Sequence, residues 1–296
     1  MPTIIDGKSI AAALQSDLKC NVARFVADTK TTPGLAVVLI GDDPASAVYV
    51  KSKGKACEKL GMYSETLKFP ADVSRSQTLE TIAKLNADEK IHGILVQLPL
   101  PKHLDADEVI EAIDPMKDVD GLHPANAGLV ALGRPRFVPC TPAGIVELLR
   151  ASSIKVSGQH AVVLGRSNLV GRPIATLLST KGEMGDATVT ICHSRSRDLP
   201  AITRSADILI VAIGQPNFVT REMVKPGAVV IDVGIHRKPE SEGGGLCGDV
   251  QFDSVAEITS AITPVPGGVG PMTIVMLMSN TLKAAHLSVQ SQLAHV

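Results

Sequence analysis

Tyr49 and Lys53 lie four residues apart in a segment with helical patterning, so both side chains leave one face. A tyrosine hydroxyl within reach of a lysine amine can orient it and share protons with it. A lysine in a partly dry cleft has a lowered pKa and can act as a base near neutrality. The same spacing also fits a tyrosine at the edge of the core and a solvated lysine, one of several on this helix at positions 51, 53, 55 and 59. Gln97 stands in an otherwise apolar run from Gly93 to Leu98. It is at the carboxyl end of an expected buried strand, where α/β sheets place ligands, and a buried amide needs partners. Asp118 and Asp120 share a short loop ending at Gly121. That loop suits either ligand binding or a solvated turn. The stiff, glycine-rich run from Pro264 to Pro271 opens a helix, and either wraps a ligand or turns a corner.

A second group of residues suits a nucleotide. The segment from His160 to Pro173 passes from strand through a glycine turn into a helix, which offers backbone N–H groups to a pyrophosphate. The usual G-x-G-x-x-G fingerprint would need glycines at 165, 167 and 170, whereas this chain has Gly165, Ser167 and Gly171. The turn alone therefore also fits ordinary strand–helix packing. The next strand, Thr188 to Cys192, is followed by His193, Ser194 and Arg195. NAD-binding lobes usually carry a carboxylate there, which would repel a 2′-phosphate. Ser194 and Arg195 can bind one, with Arg166 in the adjacent turn, so the reading is NADP rather than NAD. The alternative is a solvated basic rim.

These residues require elements to hold them. Ile10, Leu14, Leu18, Val22 and Phe25 form one stripe of a helix over 9–28. A buried strand is expected at 35–40, then a helix with Asp43 as N-cap and Pro44 in its first turn, stopped by Gly61. Helices at 75–88 and 105–113 flank a strand at 94–98, and 114–142 reads as loop-rich. Further strands are expected at 161–164, 187–192, 207–213 and 228–233, with 262–266 as a candidate for the last, and helices at 169–180 and 272–287. Ser241 to Gly245 reads as an exposed hairpin or loop. Alternating strands and helices predict an α/β fold with mostly parallel sheets. The expected architecture is two lobes with a cleft between them. Residues 1–140 form the first domain, to which the helix of 271–296 returns, and 141–270 form a Rossmann-like domain.

Composition narrows the class. With 45% apolar and 20% charged residues over 296 positions, a packed core is expected and disorder is not. Aromatic residues make up only 2%, so that core must be aliphatic. A formal net charge of -1 calls for neither nucleic acid nor an anionic membrane as partner. Five cysteines, at 20, 57, 140, 192 and 247, include no CxxC pair, which argues against a disulfide framework or a zinc ribbon. No metal site is expected. The amino-terminal residues lack a signal or transit pattern and no apolar run is long enough to span a membrane, so a cytoplasmic protein is expected.

In combination these motifs closely resemble the bifunctional methylenetetrahydrofolate dehydrogenase/cyclohydrolase family. The resemblance runs from near residue 4 to the last helix. Its most specific parts are Tyr49 to Lys53, Gly93 to Pro101, Lys117 to Gly121, Pro139 to Gly144, Gly165 to Ser167, and Pro264 to Thr273. The resemblance implies oxidation of a methylene bridge on tetrahydrofolate with NADP, followed by hydrolysis of the methenyl product to 10-formyltetrahydrofolate. It implies Lys53 as base or proton shuttle, Tyr49 stacking on the folate ring and holding Lys53, and Gln97 assisting Lys53 and orienting water. Asp120 would bond the pterin, and Pro266, Gly267 and Gly268 would line the folate site. Gly165, Arg166, Ser167, Ser194, Ile235 and Thr273 would contact the cofactor, with Arg195 added from the phosphate argument. It further implies a homodimer through the cofactor lobe, without the synthetase domain fused in some relatives. Two rival readings are another two-lobe NADP oxidoreductase, of hydroxy-acid or shikimate type, and a nucleotide-sensing module without catalysis.

Overall fold

The computed structural model describes residues 2–238 and 244–294. Ser241, Glu242 and Gly243, part of the expected hairpin or loop, lie outside the described residues. In chain order the elements are β1 (Thr3–Ile4), α1 (Gly7–Thr29), β2 (Gly34–Ile40), α2 (Pro44–Leu60), β3 (Tyr63–Phe69), α3 (Arg75–Ala87) and β4 (Gly93–Val96). Then come α4 (Ala106–Glu111), α5 (Pro124–Ala131), α6 (Cys140–Ala151), β5 (His160–Leu164), α7 (Gly171–Ser179), β6 (Thr188–Cys192), α8 (Leu199–Arg204) and β7 (Ile208–Val211). The remainder are β8 (Val229–Asp232), β9 (His236–Arg237), β10 (Leu246–Cys247), α9 (Phe252–Ala256), β11 (Ala261–Ile262) and α10 (Val269–Ala294). The chain divides into two compact units, one of residues 13–129, 135–140 and 274–296, the other of 1–12, 130–134 and 141–273.

The first of these units is built on a parallel sheet in the order β3-β2-β4. Every residue of β2 and β4 is buried, as expected of apolar strands covered on both faces. α2 has the caps its sequence announces. The Asp43 carboxylate accepts from the Ser46 N–H at 2.8 Å, and Gly61 takes the left-handed cap at φ 74°. Two departures stand out. β3 is a strand the apolar pattern does not reveal, and α5 and α6 occupy or begin in the stretch read as loop. After β4 the chain returns along its free edge, where Ile94 donates to the Lys117 carbonyl at 2.8 Å and pairs with Asp118. The Asp118–Gly121 turn is thus held beside the strand that Gln97 directly follows.

The other unit carries a six-stranded parallel sheet in the order β1-β11-β8-β7-β5-β6. Its core is aliphatic, with Val162, Leu164, Leu209, Val211, Val230 and Ile262 all buried. From β5 the chain moves outward to β6 and then crosses to β7 on the opposite side of β5. The carboxyl ends of β5 and β7 therefore flank a topological switch point, where open α/β sheets bind ligands. Residues 1–12, which periodicity left with the first domain, group with this sheet because β1 pairs with β11 at its edge.

Candidate active site

Lys53 projects from α2 and is 8% exposed, so the amine is largely stripped of water. It donates to Gln97 Oε1 at 2.8 Å, and Gln97 Nε2 in turn donates to the Leu98 carbonyl at 2.8 Å. That second bond fixes which end of the amide faces the lysine, leaving an acceptor for it. Burial pulls the Lys53 pKa below the ordinary lysine range, while the charge of Asp120 and, less, of Cys140 works to raise it. Burial likewise pushes the Asp120 carboxyl up, and Lys53 opposes this shift. Tyr49, one turn before Lys53, is half-buried, and burial raises its phenol. The amine's partner is Gln97 rather than the Tyr49 hydroxyl.

The two carboxylates of the loop have different work. Asp118 is 1% exposed and accepts from the Leu122 and His123 N–H groups and from Asn126 Nδ2, at 3.2, 2.9 and 2.8 Å. It pins the turn into α5. Asp120, two residues on, is left beside Lys53. Gly121 adopts φ 71°, and a Cβ there would lie 2.8 Å from the Pro139 nitrogen, so the turn must be glycine. Two residues of this neighbourhood were given no role by the sequence, although Cys140 lies in the Pro139 to Gly144 motif. Asn280, on α10, donates to the carbonyls of Val119 at 2.8 Å and Val138 at 3.0 Å, tying together the segments that lead into Asp120 and Cys140. Cys140 is buried, donates to the Val119 carbonyl at 3.4 Å, and has its thiol pushed well up by burial and by Asp120. It is a packing group, not a nucleophile.

In the six-stranded unit, Gly165 ends β5 with φ 137°, and a Cβ there would lie 2.2 Å from the Ala212 carbonyl oxygen. A Cβ on Gly171 would lie 2.3 Å from the Gly165 oxygen. Both glycines are thus required for the turn to close onto α7. The Ser167 hydroxyl accepts from the Val170 N–H at 3.2 Å, which shapes the turn, while Arg166 and Ser167 remain exposed. After β6 the turn is preset. The His193 N–H donates to Ser196 Oγ at 3.0 Å and the Arg195 N–H to His193 Nδ1 at 3.2 Å, which leaves Ser194 and Arg195 exposed at its tip. A close backbone turn at a helix start, with guanidinium and hydroxyl groups around it, fits a dinucleotide carrying an extra phosphate. Ile235, between β8 and β9, is 42% exposed. The Thr273 hydroxyl is engaged with Thr141 Oγ1 at 3.0 Å. Pro266 is exposed at the turn before α10, and the carbonyl of its neighbour Gly267 accepts from the Lys8 N–H at 3.0 Å. Gly268 is buried, its carbonyl packed so closely on Gly7 that a Cβ there would lie 1.9 Å away.

The comparisons with known proteins decide the family. One family model, described as tetrahydrofolate dehydrogenase/cyclohydrolase, catalytic domain, matches residues 5–120. A second, the NAD(P)-binding domain of the same family, matches residues 139–289. The chain belongs to the tetrahydrofolate dehydrogenase/cyclohydrolase family. Among relatives in this family, the bifunctional protein FolD of Prosthecochloris aestuarii is 53% identical over 95% of this chain and 97% of its own length. A Campylobacter jejuni bifunctional FolD structure, 47% identical, superposes with a TM-score of 0.91, covering 97% of this chain and 99% of that one. A Trypanosoma brucei methylenetetrahydrofolate dehydrogenase-cyclohydrolase, solved with NADP cofactor and inhibitor, is 40% identical with a TM-score of 0.93, covering 98% and 99%. Among the described residues no cluster suited to a metal ion occurs, and no helix is long and apolar enough to cross a membrane.

Proposed function

We propose that the chain oxidises 5,10-methylenetetrahydrofolate to 5,10-methenyltetrahydrofolate with NADP and hydrolyses that product to 10-formyltetrahydrofolate, within one-carbon metabolism. The observation that carries this reading is the buried Lys53 amine, held by Gln97 and set beside Asp120. When bound, NADP supplies the hydride acceptor. Everything else falls to side chains. The methenyl cation is attacked by water, and that water must lose a proton as the carbon–oxygen bond forms. An amine with a lowered pKa can take it and return it to the departing folate nitrogen, so one lysine serves both of these transfers, while the adduct's remaining hydroxyl proton passes to solvent as the formyl C=O forms and the carbon–nitrogen bond breaks. Gln97 keeps the amine directed and offers water a polar neighbour. Tyr49 presents a flat ring for stacking against the folate. Asp120 accepts from the amino and amide N–H groups of the pterin edge.

For the cofactor, the Gly165–Ser167 turn suits the pyrophosphate, and Arg166, Ser194 and Arg195 suit the 2′-phosphate. Ile235 gives an apolar contact, and Thr273 a hydroxyl at the start of α10. We further assign a homodimer formed through the six-stranded sheet. β6 is an edge strand of that sheet, and Ile191 on it is 44% exposed. A reducing, cytoplasmic setting suits five free cysteines. The test is a spectroscopic assay that follows methenyl formation from methylenetetrahydrofolate and NADP, then its hydrolysis. Absence of either step from the purified protein overturns the reading.

A further inference from the structure

At the carboxyl ends of β7 and β8 lies a hydrogen-bonded cluster used by neither the proton transfers nor the phosphate contacts. Asp249 is fully buried. Its Oδ2 accepts from the Ile213 and Gly214 N–H groups, both at 2.9 Å, and its Oδ1 pairs with His236 Nε2 at 2.7 Å. Asp232, the last residue of β8, lies against it. Asp232 Oδ1 accepts from the N–H groups of Gly234 at 2.9 Å and Asp249 at 3.0 Å, and Oδ2 from that of Val250 at 2.9 Å. Two glycines make the room. A Cβ on Gly234 would lie 2.4 Å from Asp249 Oδ1, and one on Gly248 would lie 1.9 Å from Asp232 Oδ2.

Burying two carboxylates side by side is costly unless their hydrogen bonds are met, and here they are met by backbone groups of particular segments and by the His236 ring. Val250 belongs to the core, but the segments bonded to Asp249 run out of it to the exposed Gly214 and Ile235. Ile213 and Gly214 follow Ala212, whose carbonyl packs on Gly165 at the switch point. Gly234 and His236 bracket the exposed Ile235, one bonded to Asp232 and the other to Asp249. Strand order gives the direction in which a dinucleotide would lie. Its 2′-phosphate end belongs at β6, with Ser194 and Arg195, and its pyrophosphate at the Gly165 turn after β5. The remaining half falls at β7 and β8.

We propose that Asp249 is a positioning residue for the dehydrogenase reaction, holding the Ile213–Gly214 turn directly and the Ile235 ledge through His236, both against the nicotinamide half of the cofactor. This rests on the cofactor reading given above. Small misplacement of a reacting group costs large factors in rate, so the effect falls on hydride transfer. Hydrolysis of the methenyl group takes no hydride and serves as the internal reference.

The experiment first titrates the unmodified protein with NADPH by fluorescence, then measures both activities in His236→Ala, His236→Gln, Asp249→Ala and Asp249→Asn. The ratio of dehydrogenase kcat/KM for NADP to cyclohydrolase kcat/KM is expected to fall about tenfold or more in His236→Ala. His236→Gln, whose amide can reach Asp249, recovers a substantial part. Asp249→Asn keeps an acceptor for the two N–H groups and retains more of the ratio than Asp249→Ala. If Asp249→Ala does not fold, the His236 pair decides. An unchanged ratio in His236→Ala, or no recovery with glutamine, overturns the proposal while leaving the cofactor site standing. Failure of the unmodified protein to bind NADPH overturns the cofactor reading itself, and the proposal with it.

Discussion

Lys53 Nζ and Gln97 Oε1 stand 2.8 Å apart although 44 positions separate them in the chain. One comes from the middle of a helix, the other from the residue just past a buried strand, and the fold of this unit brings the two to one place. An amide oxygen steadies the amine without fixing its charge, as a carboxylate at that distance would. The pair therefore keeps a lysine that burial makes easier to deprotonate than an exposed one.

Replacing Lys53 with Met keeps most of the stem and removes the amine. Cyclohydrolase turnover is expected to fall about 100-fold or more, the usual loss for a general base. Dehydrogenase turnover should fall no further than that, since hydride transfer removes no proton at the methylene carbon. Lys51 and Lys55 are exposed and give the matched controls. Full cyclohydrolase activity in Lys53→Met, read from the decay of methenyl absorbance, rules out the mechanism.

The direction of the Lys53 shift sets a pH dependence. Burial lowers its pKa, so the base form, and with it the cyclohydrolase rate, rises with pH through a value below that of an ordinary lysine. Asp120 acts to raise that pKa. Asp120→Asn should therefore move the rising limb of kcat, measured at saturating folate, to lower pH. A limb that stays in place or moves upward contradicts the assignment.

Asp120→Ala leaves pterin donors without an acceptor, and a site built to bond a polar group is sensitive to its loss. Folate KM is expected to rise about tenfold or more in both reactions, with the Kd for NADPH unchanged. Wild-type folate kinetics would reduce Asp120 to a turn residue.

Arg195→Asp places a carboxylate where a 2′-phosphate is expected. Losing one charge-assisted hydrogen bond and adding repulsion is worth about 1.5–3 kcal/mol, or a factor of ten or more in kcat/KM for NADP. The value for NAD should change little. Equal losses with the two cofactors would mean that the β6 turn does not read the phosphate.

Asn280→Ala strips two carbonyls, those of Val119 and Val138, of a shared donor. Unfolding in urea is expected to show a loss of about 1–3 kcal/mol. Folate KM should rise with it, because the Asp120 turn is loosened. Unchanged stability would show that water replaces the amide.

Local signals were legible because the forces behind them are local. Asp43, Pro44 and Gly61 delimit α2 through bonds to atoms within four residues. β3 escaped because it is an edge strand whose Glu65, Thr66 and Lys68 interrupt any apolar run. α5 and α6 contain Pro124, Gly128, Pro142 and Gly144, which mimic turns. Gly144 is there because a Cβ would lie 2.7 Å from that of Met272. The chemistry-bearing residues Lys53 and Gln97 were singled out one at a time. Nothing in the spacing joined them or separated Asp118, a structural pin, from Asp120; only the family resemblance did so. Asn280 and Cys140 stand 140 positions apart, beyond any periodic pattern.

The pairing of β1 with β11 also bears on what can be cut from this chain. A fragment of residues 141–270 would retain five of the six strands but lose Thr3 and Ile4, baring the outer edge of β11. An exposed strand edge invites sheet-to-sheet association. The nucleotide half excised in this way would carry its own seed for aggregation, which the first residues of the intact chain cover.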